Sequence, residues 1–354
     1  MNDAQFSVPI LFLIFNRQDT AQQVFDQIKQ RKPAKLYVSA DGPRPERVGE
    51  DILCRETRDI VKQIDWECEL HTHFLDKNIG CGKAICSAIS WIFETEDEAI
   101  ILEDDCLPHP DFFVFCKEML QKYRNNTPVM LISGESLNSR ADRYNESYHF
   151  SRGAWIWGWA TWKRAWESFD IAISDWPQNY FHVLHDTYYD AVPEYREYMM
   201  YNLDRVYQLE KPDVWAIQWT YAVTKNAGLC IVPSTNLISN IGLLGVHSFG
   251  DTTILFRETK ALTPKILIHP DAIEPNHILD KLHFLEHVQF GSKYYYGLKV
   301  SAWLRKLGLF PRFRKYHPLA LGWWLKTKKY KQGPERSKCI LKDGWEKEPL
   351  SLDK

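Results

Sequence analysis

Three consecutive acidic residues, Glu103, Asp104 and Asp105, are the part of the sequence best suited to chemistry. They follow an apolar run at residues 100–102 that has the composition of a buried parallel strand. Open α/β sheets bind ligands at the C-terminal ends of their strands, so we expect these acids to line a ligand crevice. Adjacent carboxylates repel one another, and a hard divalent cation (Mn²⁺ or Mg²⁺) that holds a diphosphate would offset the repulsion. The alternative is an ordinary helix N-terminus, since Pro110 and Asp111 precede a helical stretch and acidic residues are common near helix starts.

The first 132 residues alternate between strand-like and helix-like segments. The strand-like runs lie at residues 8–15, 35–40, 68–74, 100–102 and 129–132. Segments with helical periodicity separate them, for example at residues 84–92. This alternation predicts an α/β fold with a mostly parallel sheet flanked by helices.

Polar residues follow the predicted strands where a nucleotide could bind. Asn16 and Arg17 come after the first strand and Asp41 after the second, while Lys83 ends the loop after the third. In this arrangement Asp41 would contact a base, and Arg17 and Lys83 would lie on the nucleotide side. The first strand is followed by neither GxGxxG nor GxxxxGK[ST], which argues against a dinucleotide-binding dehydrogenase and a P-loop hydrolase.

The segment SRGAWIWGWATWKRAW is rich in tryptophan. Trp155, Trp159, Trp162 and Trp166 are spaced by four, three and four residues, which predicts one face of a helix packed into the core. Trp157 is off this face and precedes a glycine, so it is a candidate ligand contact.

Composition indicates a globular protein in a reducing compartment. The chain of 354 residues is 45% hydrophobic and 25% charged, which suits a substantial core. Its eight cysteines form no CxxC pair, and we expect free thiols. The N-terminus carries an acid instead of a basic signal-peptide region, and no apolar run reaches transmembrane length. These features predict a cytoplasmic protein.

The C-terminal region is basic and aromatic. Residues 287–334 contain eleven Lys and Arg and no Asp or Glu, whereas the rest of the chain is acidic. A mixture of cations with Trp, Tyr and Leu favours peripheral binding to an anionic membrane, at its inner face. The alternative is a basic helical appendage packed on the acidic body. The acidic remainder makes a nucleic-acid partner the less favoured interpretation.

Several ordered segments together resemble a known family. VPILFLIFNR, VSADG, LEDDCLPHPDFF, GAWIWGW and GLCIVPSTNLISNIG, within about residues 8–250, resemble the GT-A nucleotide-diphospho-sugar glycosyltransferases. The resemblance is strongest to the N-acetylglucosaminyltransferase-I-like group and its bacterial hemolysin-like relatives. It implies a metal-dependent, inverting enzyme that moves a sugar from a UDP-sugar to a surface glycan such as capsule, O-antigen or lipooligosaccharide. A lipid-linked acceptor would explain a membrane-binding tail.

The resemblance also implies a domain division and residue roles. Residues 1–265 would form the GT-A domain, with a nucleotide half up to about residue 132 and an acceptor half after it, and residues 266–354 a C-terminal extension. Asp105 matches the metal-binding position, Asp104 the position near the ribose, and Glu103 the position near the donor sugar. Asp41 matches the residue that contacts uracil, and Arg17 matches an arginine on the nucleotide side.

The resemblance also implies a loop that closes over the donor and a general base, and this chain lacks the base at the expected position. His247 lies in a Gly-rich loop that would close over the donor, where it could reach the metal or diphosphate or serve as an ordinary loop histidine. An inverting transfer needs a general base, and many relatives have Asp directly after the tryptophan that matches Trp215. This chain has Ala216 there. Asp213 or Glu135 could serve instead, or the alanine could be an engineered replacement.

The sequence also suggests two acceptor contacts and leaves two alternative functions open. Trp157 and Trp215 are the candidate acceptor-binding residues. A sugar-1-phosphate nucleotidyltransferase would share the sheet and metal site, but it needs a Gly-rich loop with Lys or Arg after the first strand, which NRQDT does not provide. A non-catalytic glycan-binding protein on the same fold is the other alternative, and Ala216 favours it.

Overall fold

The structure is a computed structural model that describes residues 5–137, 145–184, 186, 192–208, 213–242, 257–288 and 291–309. The strands in these ranges are β1 (Ile10–Ile14), β2 (Lys35–Ala40), β3 (Glu69–Phe74), β4 (Glu98–Glu103), β5 (Cys106–Pro108), β6 (Val129–Ser133), β7 (Tyr148–Ser151), β8 (Trp159–Trp162), β9 (Leu229–Pro233) and β10 (Ile238–Asn240). The helices are α1 (Gln18–Arg31), α2 (Glu50–Arg58), α3 (Cys81–Ile92), α4 (Pro110–Tyr123), α5 (Lys163–Trp166), α6 (Trp176–Leu184), α7 (Pro193–Tyr207), α8 (Ala216–Lys225), α9 (His277–His287) and α10 (Lys293–Lys306).

A mixed eight-stranded sheet organises the chain, in the order β3-β2-β1-β4-β8-β6-β9-β7. Strands β1, β2, β3, β4, β6 and β9 run parallel to one another, and β7 and β8 run against them. A small antiparallel pair, β5 and β10, lies beside it. The predicted α/β class, a mostly parallel sheet flanked by helices, is confirmed.

The apolar runs form strands because both faces of the sheet are covered. In β1 every residue is buried, and the same holds for β6 and β9. Helix α1 packs Val24, Phe25 and Ile28 on one face, while α3 buries Ala88, Ile89 and Ile92 on the other. Residues with helical spacing therefore flank continuous apolar strands, which is how a parallel sheet removes both of its faces from water.

The tryptophan-rich segment differs from the predicted helix. Trp159 begins β8 and Trp162 ends it, and β8 pairs antiparallel with both β4 and β6. Residues three apart on a strand point to opposite faces, so Trp159 packs with one core cluster and Trp162 with the other. The helix prediction was wrong, but the predicted burial is confirmed for all four, including Trp155 and Trp166.

The acidic triplet does not begin a helix. Glu103 ends β4, and after a two-residue turn the chain forms β5 before α4 starts at Pro110. His109 caps α4, its Nδ1 accepting a hydrogen bond from the Asp111 amide at 3.1 Å. The predicted helix start at Pro110 and Asp111 is therefore confirmed, and Glu103, Asp104 and Asp105 lie before it.

The C-terminal elements pack on the same body. The Ser147 amide bonds the Ile268 carbonyl and the Asn276 amide bonds the Phe150 carbonyl, both across the predicted boundary at residue 265. That boundary stays a prediction. None of the helices described is long and apolar enough to span a membrane. All seven cysteines in the described ranges are free thiols, as predicted for them.

Candidate functional site

The C-terminal edge of β1 and β4 brings Arg17 together with two residues of the acidic triplet. Arg17 precedes α1, and its guanidinium forms an ion pair with the Asp104 carboxylate and a 3.0 Å contact with Asp105 Oδ2. The Asp104 side chain is only 4% exposed, whereas that of Arg17 is 35% exposed, so the carboxylate is shielded from water and the guanidinium is partly solvated. The chain therefore supplies one cation to the acids, as the position of Arg17 at the same predicted sheet edge indicated.

The three acids of the crevice are crowded and largely buried, and their electrostatics reflect it. Desolvation by burial, followed by the charges of Asp105 and Asp104, raises the pKa of Glu103 to about 8. Burial also raises the pKa of Asp104 to about 6, although Arg17 opposes the shift. Asp104 Oδ2 is buried without a hydrogen-bond partner in the described structure. Burial and mutual repulsion thus disfavour the charged forms of these acids, and a further cation would stabilise them.

These residues fit a hard divalent cation. They offer carboxylate oxygens, the ligands preferred by Mg²⁺, and Asp105 is the most exposed of the paired acids at 17% of its side chain. Within the described ranges no group of three or more His, Cys, Asp and Glu side chains is arranged to hold a metal. An ion at Asp105 would thus take its other ligands from water and substrate phosphates. His247, the second predicted metal ligand, lies outside the described residues.

Asp41 holds a loop in place. Its Oδ1 accepts hydrogen bonds from the amides of Gly42 at 2.8 Å and Ile79 at 3.0 Å, and its Oδ2 accepts one from Gly80 at 3.2 Å. Gly42 itself admits no side chain, because a Cβ atom there would lie 2.3 Å from the Lys77 backbone. Asp41 lies at the predicted edge, but the bonds observed are structural ones. Its contact with uracil stays a prediction.

The start of α3 lies beside Asp41 and brings in Asp213. Asp213 Oδ1 accepts a hydrogen bond from the Gly82 amide at 3.1 Å, satisfying one of the free amides at this helix start. Gly80 has a φ of 91°, which lets the loop turn into the helix against Asp213. Lys83 is half-buried in the first helical turn. The structure therefore places Asp213 and Lys83 at the same helix start.

Cys81 is a crevice residue that the sequence analysis did not single out. Cys81 is exposed, and partial desolvation, followed by the charges of Glu103, Asp213 and Asp41, raises the pKa of its thiol. These carboxylates come from three separate chain segments, because Asp104, the next contributor, lies beside Glu103. A cysteine flanked by glycines in the loop NIGCGK was the available signal.

Glu135 lies at the C-terminal end of β6, but inside the protein. The Trp157 amide donates a hydrogen bond to its carboxylate, and the next amide, of Gly158, donates to the Cys106 thiol. Glu135 Oε1 lies 3.5 Å from Nε2 of His283 on α9, and burial raises the pKa of Glu135 to about 7. The Glu135 side chain is 4% exposed, which limits an acceptor's access to it.

The two tryptophans predicted to bind the acceptor differ in position. Trp215 is 5% exposed and stacks on Trp159, with ring centroids 5.8 Å apart and planes at 26°. Trp215 is packed in the core, and its role as an acceptor platform stays a prediction. Trp157 is half-buried and packs against the core beside Glu135. Ala216 is the first residue of α8, three residues from Asp213.

Comparisons with known proteins give fold likeness alone. No protein family matches the sequence, and no curated protein matches it. The chain is similar to S. aureus TarS 1-349, with 12% identity over 86% of this chain and 80% of that one and a TM-score of 0.41. It is also similar to mouse xyloside xylosyltransferase 1 (11% identity, 62% and 82% covered, TM-score 0.31) and to apo UDP-glucose pyrophosphorylase (10%, 66% and 93%, 0.33). Likenesses this distant carry no argument about activity, and membership of the N-acetylglucosaminyltransferase-I-like group stays a prediction.

Proposed function

We propose that this protein is a metal-dependent, inverting glycosyltransferase that transfers a sugar from a UDP-sugar to a hydroxyl of a cell-surface glycan. The observation that carries the proposal is the convergence of Arg17 with Glu103, Asp104 and Asp105 at the C-terminal edge of the sheet. That edge is where open α/β folds bind nucleotides. An acidic crevice with one internal arginine suits a ligand that arrives as an anionic diphosphate together with a divalent cation.

In this proposal the bound ion is held by Asp105, with Asp104 and Glu103 adjacent. When bound, it would offset the negative charge that builds on the diphosphate as the sugar leaves. Arg17, which contacts Asp104 and Asp105, would hold their carboxylates in place and add positive charge on the nucleotide side. The loop held by Asp41 and the amides at the start of α3 would frame the nucleotide.

We assign the general base to Asp213. The acceptor hydroxyl would attack the anomeric carbon, its proton would pass to the Asp213 carboxylate, and the bond from the anomeric carbon to the diphosphate oxygen would break, with its electron pair leaving on UDP. Asp213 is exposed and close enough to Cys81 and Asp41 to perturb the pKa of both. Glu135 has a pKa suited to proton transfer, but it is almost fully buried.

A thermal-shift screen tests the proposal. The full chain would be heated with Mn²⁺ and each of a set of nucleoside diphosphates and nucleotide sugars. We expect UDP and at least one UDP-sugar to raise the melting temperature, because a ligand that binds only the folded state stabilises it. Asp105→Ala should remove that Mn²⁺-dependent shift, whereas Asp97→Ala, outside the crevice, should keep it. The absence of any nucleotide-dependent shift in the parent would contradict the proposal.

A further inference from the structure

Helix α10 carries a row of exposed apolar side chains. Tyr296, Val300, Trp303 and Leu307 are 58%, 47%, 59% and 51% exposed. Their spacings of four, three and four residues place them on one side of the helix, with Leu307 as the residue that caps its C-terminus. We call these four residues the outer stripe. A soluble helix normally turns such a row towards the core, so an exposed one indicates a surface that binds something.

The opposite side of α10 is fixed to the body. Tyr295, Leu298 and Ser301 are buried there. Near the end of the helix Arg305 forms an ion pair with Glu197 on α7, and the Arg305 Nη2 to Glu197 Oε2 distance is 2.9 Å. Glu197 is fully buried, so this pair holds the helix in one orientation. The outer stripe therefore points outward because the other face is already packed.

Cations flank the outer stripe on both sides. With about 100° between successive residues, Lys293 lies about 50° to one side of the centre of the stripe, and Lys299 and Lys306 lie about 70–90° to the other. All three are exposed, and the helix contains no acidic residue. An apolar row between lysines matches the boundary between lipid headgroups and acyl chains, where aromatic rings insert and ammonium groups contact anionic headgroups.

We propose that the outer stripe and its flanking lysines dock this protein on an anionic lipid surface. Charge decides against the two other occupants. A second copy docked through the same stripe would bring the same lysines against one another, and residues 310–354 carry twelve Lys and Arg against five acids. Both would meet the stripe with like charge, whereas an anionic surface is complementary to it. The inference stands apart from the proposed sugar transfer, because none of its residues lies in the acidic crevice.

Sedimentation with lipid vesicles tests the proposal on the full-length chain. One set of vesicles contains phosphatidylglycerol and phosphatidylcholine in equal parts, and the other contains phosphatidylcholine alone. The variants are Val300→Ser with Trp303→Ser, which removes apolar contacts, and Lys299→Ser with Lys306→Ser, which removes charge. Matched controls are Val114→Ser on α4, 53% exposed, and Lys62→Ser, whose side chain is 71% exposed.

We expect the parent to bind the anionic vesicles in a salt-sensitive manner and to bind the neutral vesicles far more weakly. The lysine variant should lose about 25-fold in partitioning, since each cation near such a surface contributes about fivefold. The apolar variant should lose about tenfold or more. Both controls should bind as the parent does.

Three results would overturn the proposal. In the first, both α10 variants bind vesicles as well as the parent does. In the second, the parent binds neutral and anionic vesicles equally. In the third, the parent binds no vesicles but forms dimers, and the apolar variant abolishes these dimers. Melting temperatures check that each variant is folded. If the apolar variant is not, the lysine variant decides the matter, because its substituted side chains are on the surface.

Discussion

Arg17→Gln is the change that tests the charge balance of the crevice most sharply. Arg17 is the cation that contacts both Asp104 and Asp105. Glutamine keeps a hydrogen-bonding side chain at the position but removes the positive charge. Because Asp104 is 4% exposed, its carboxylate would be left with little water to replace the guanidinium. We expect the variant to be less stable than the parent and to respond more strongly to divalent cations.

The size of the effect follows from burial. Removing one partner of a buried ion pair costs about 3–5 kcal/mol in free energy of unfolding. The Arg17 side chain is 35% exposed, so solvent screens the pair and we reduce the expected loss to about 2 kcal/mol. In a chain of this size that corresponds to a fall of a few degrees in Tm. If Mn²⁺ binds the vacated carboxylates tenfold more tightly, saturating ion would return about 1.4 kcal/mol.

The assay is thermal unfolding of metal-free protein and of protein titrated with Mn²⁺. Arg305→Gln is a matched control, since it breaks the Arg305–Glu197 pair on α10, far along the chain from the crevice. It should lose stability but keep the parent's response to Mn²⁺. Arg17 does not balance the crevice charge if Arg17→Gln is as stable as the parent, or if Mn²⁺ raises the Tm of Arg17→Gln and of the parent by the same amount.

Three further changes test other parts of the site. Asp41→Asn places an amide nitrogen against backbone N–H groups, so it should lower stability by about 1–3 kcal/mol and weaken UDP binding, measured by unfolding and calorimetry. Asp213→Asn should lower kcat by about 10²–10⁴-fold in single-turnover assays. If Asp213→Asn instead keeps its activity and Ala216→Asp raises kcat strongly, the base belongs at position 216. Burial lowers the pKa of His283 to about 3, whereas in the unfolded chain it is about 6.5. Between these two pH values unfolding takes up a proton, so the contribution of His283 to stability is lost as the pH falls from about 6.5 towards 3. His283→Gln should make that loss shallower by up to about 1.4 kcal/mol per pH unit, and an unchanged slope would contradict it.

Local sequence predicted the fold well where one rule decided the outcome. Apolar runs became buried strands, and the acids after residue 102 fell at the sheet edge because strand direction fixes where a strand ends. The tryptophan segment failed because its spacing fits a helix face, while strand pairing on both sides overrode that pattern. A strand between β4 and β6 can bury large side chains on either face, so spacing alone could not separate the two structures.

The polar contacts of the site could not be read from the sequence, because they join distant segments. Arg17 meets Asp104 and Asp105 some 87 residues away along the chain. Asp213 reaches the start of α3 from 131 residues away, and His283 reaches Glu135 from α9. Residue type indicated that Asp105 and Arg17 were functional candidates. Which carboxylate an arginine contacts depends on tertiary packing.

Release of UDP from a UDP-sugar is the most direct test of the proposed transfer. The full chain would be incubated with Mn²⁺, one UDP-sugar at a time and a surface-glycan extract as acceptor, and free UDP would be quantified. We predict that at least one UDP-sugar yields UDP together with a glycosylated product, and that Asp105→Ala abolishes both. No UDP from any donor, or undiminished release by Asp105→Ala, would contradict the account, as would formation of UDP-sugar and pyrophosphate from UTP and a sugar-1-phosphate.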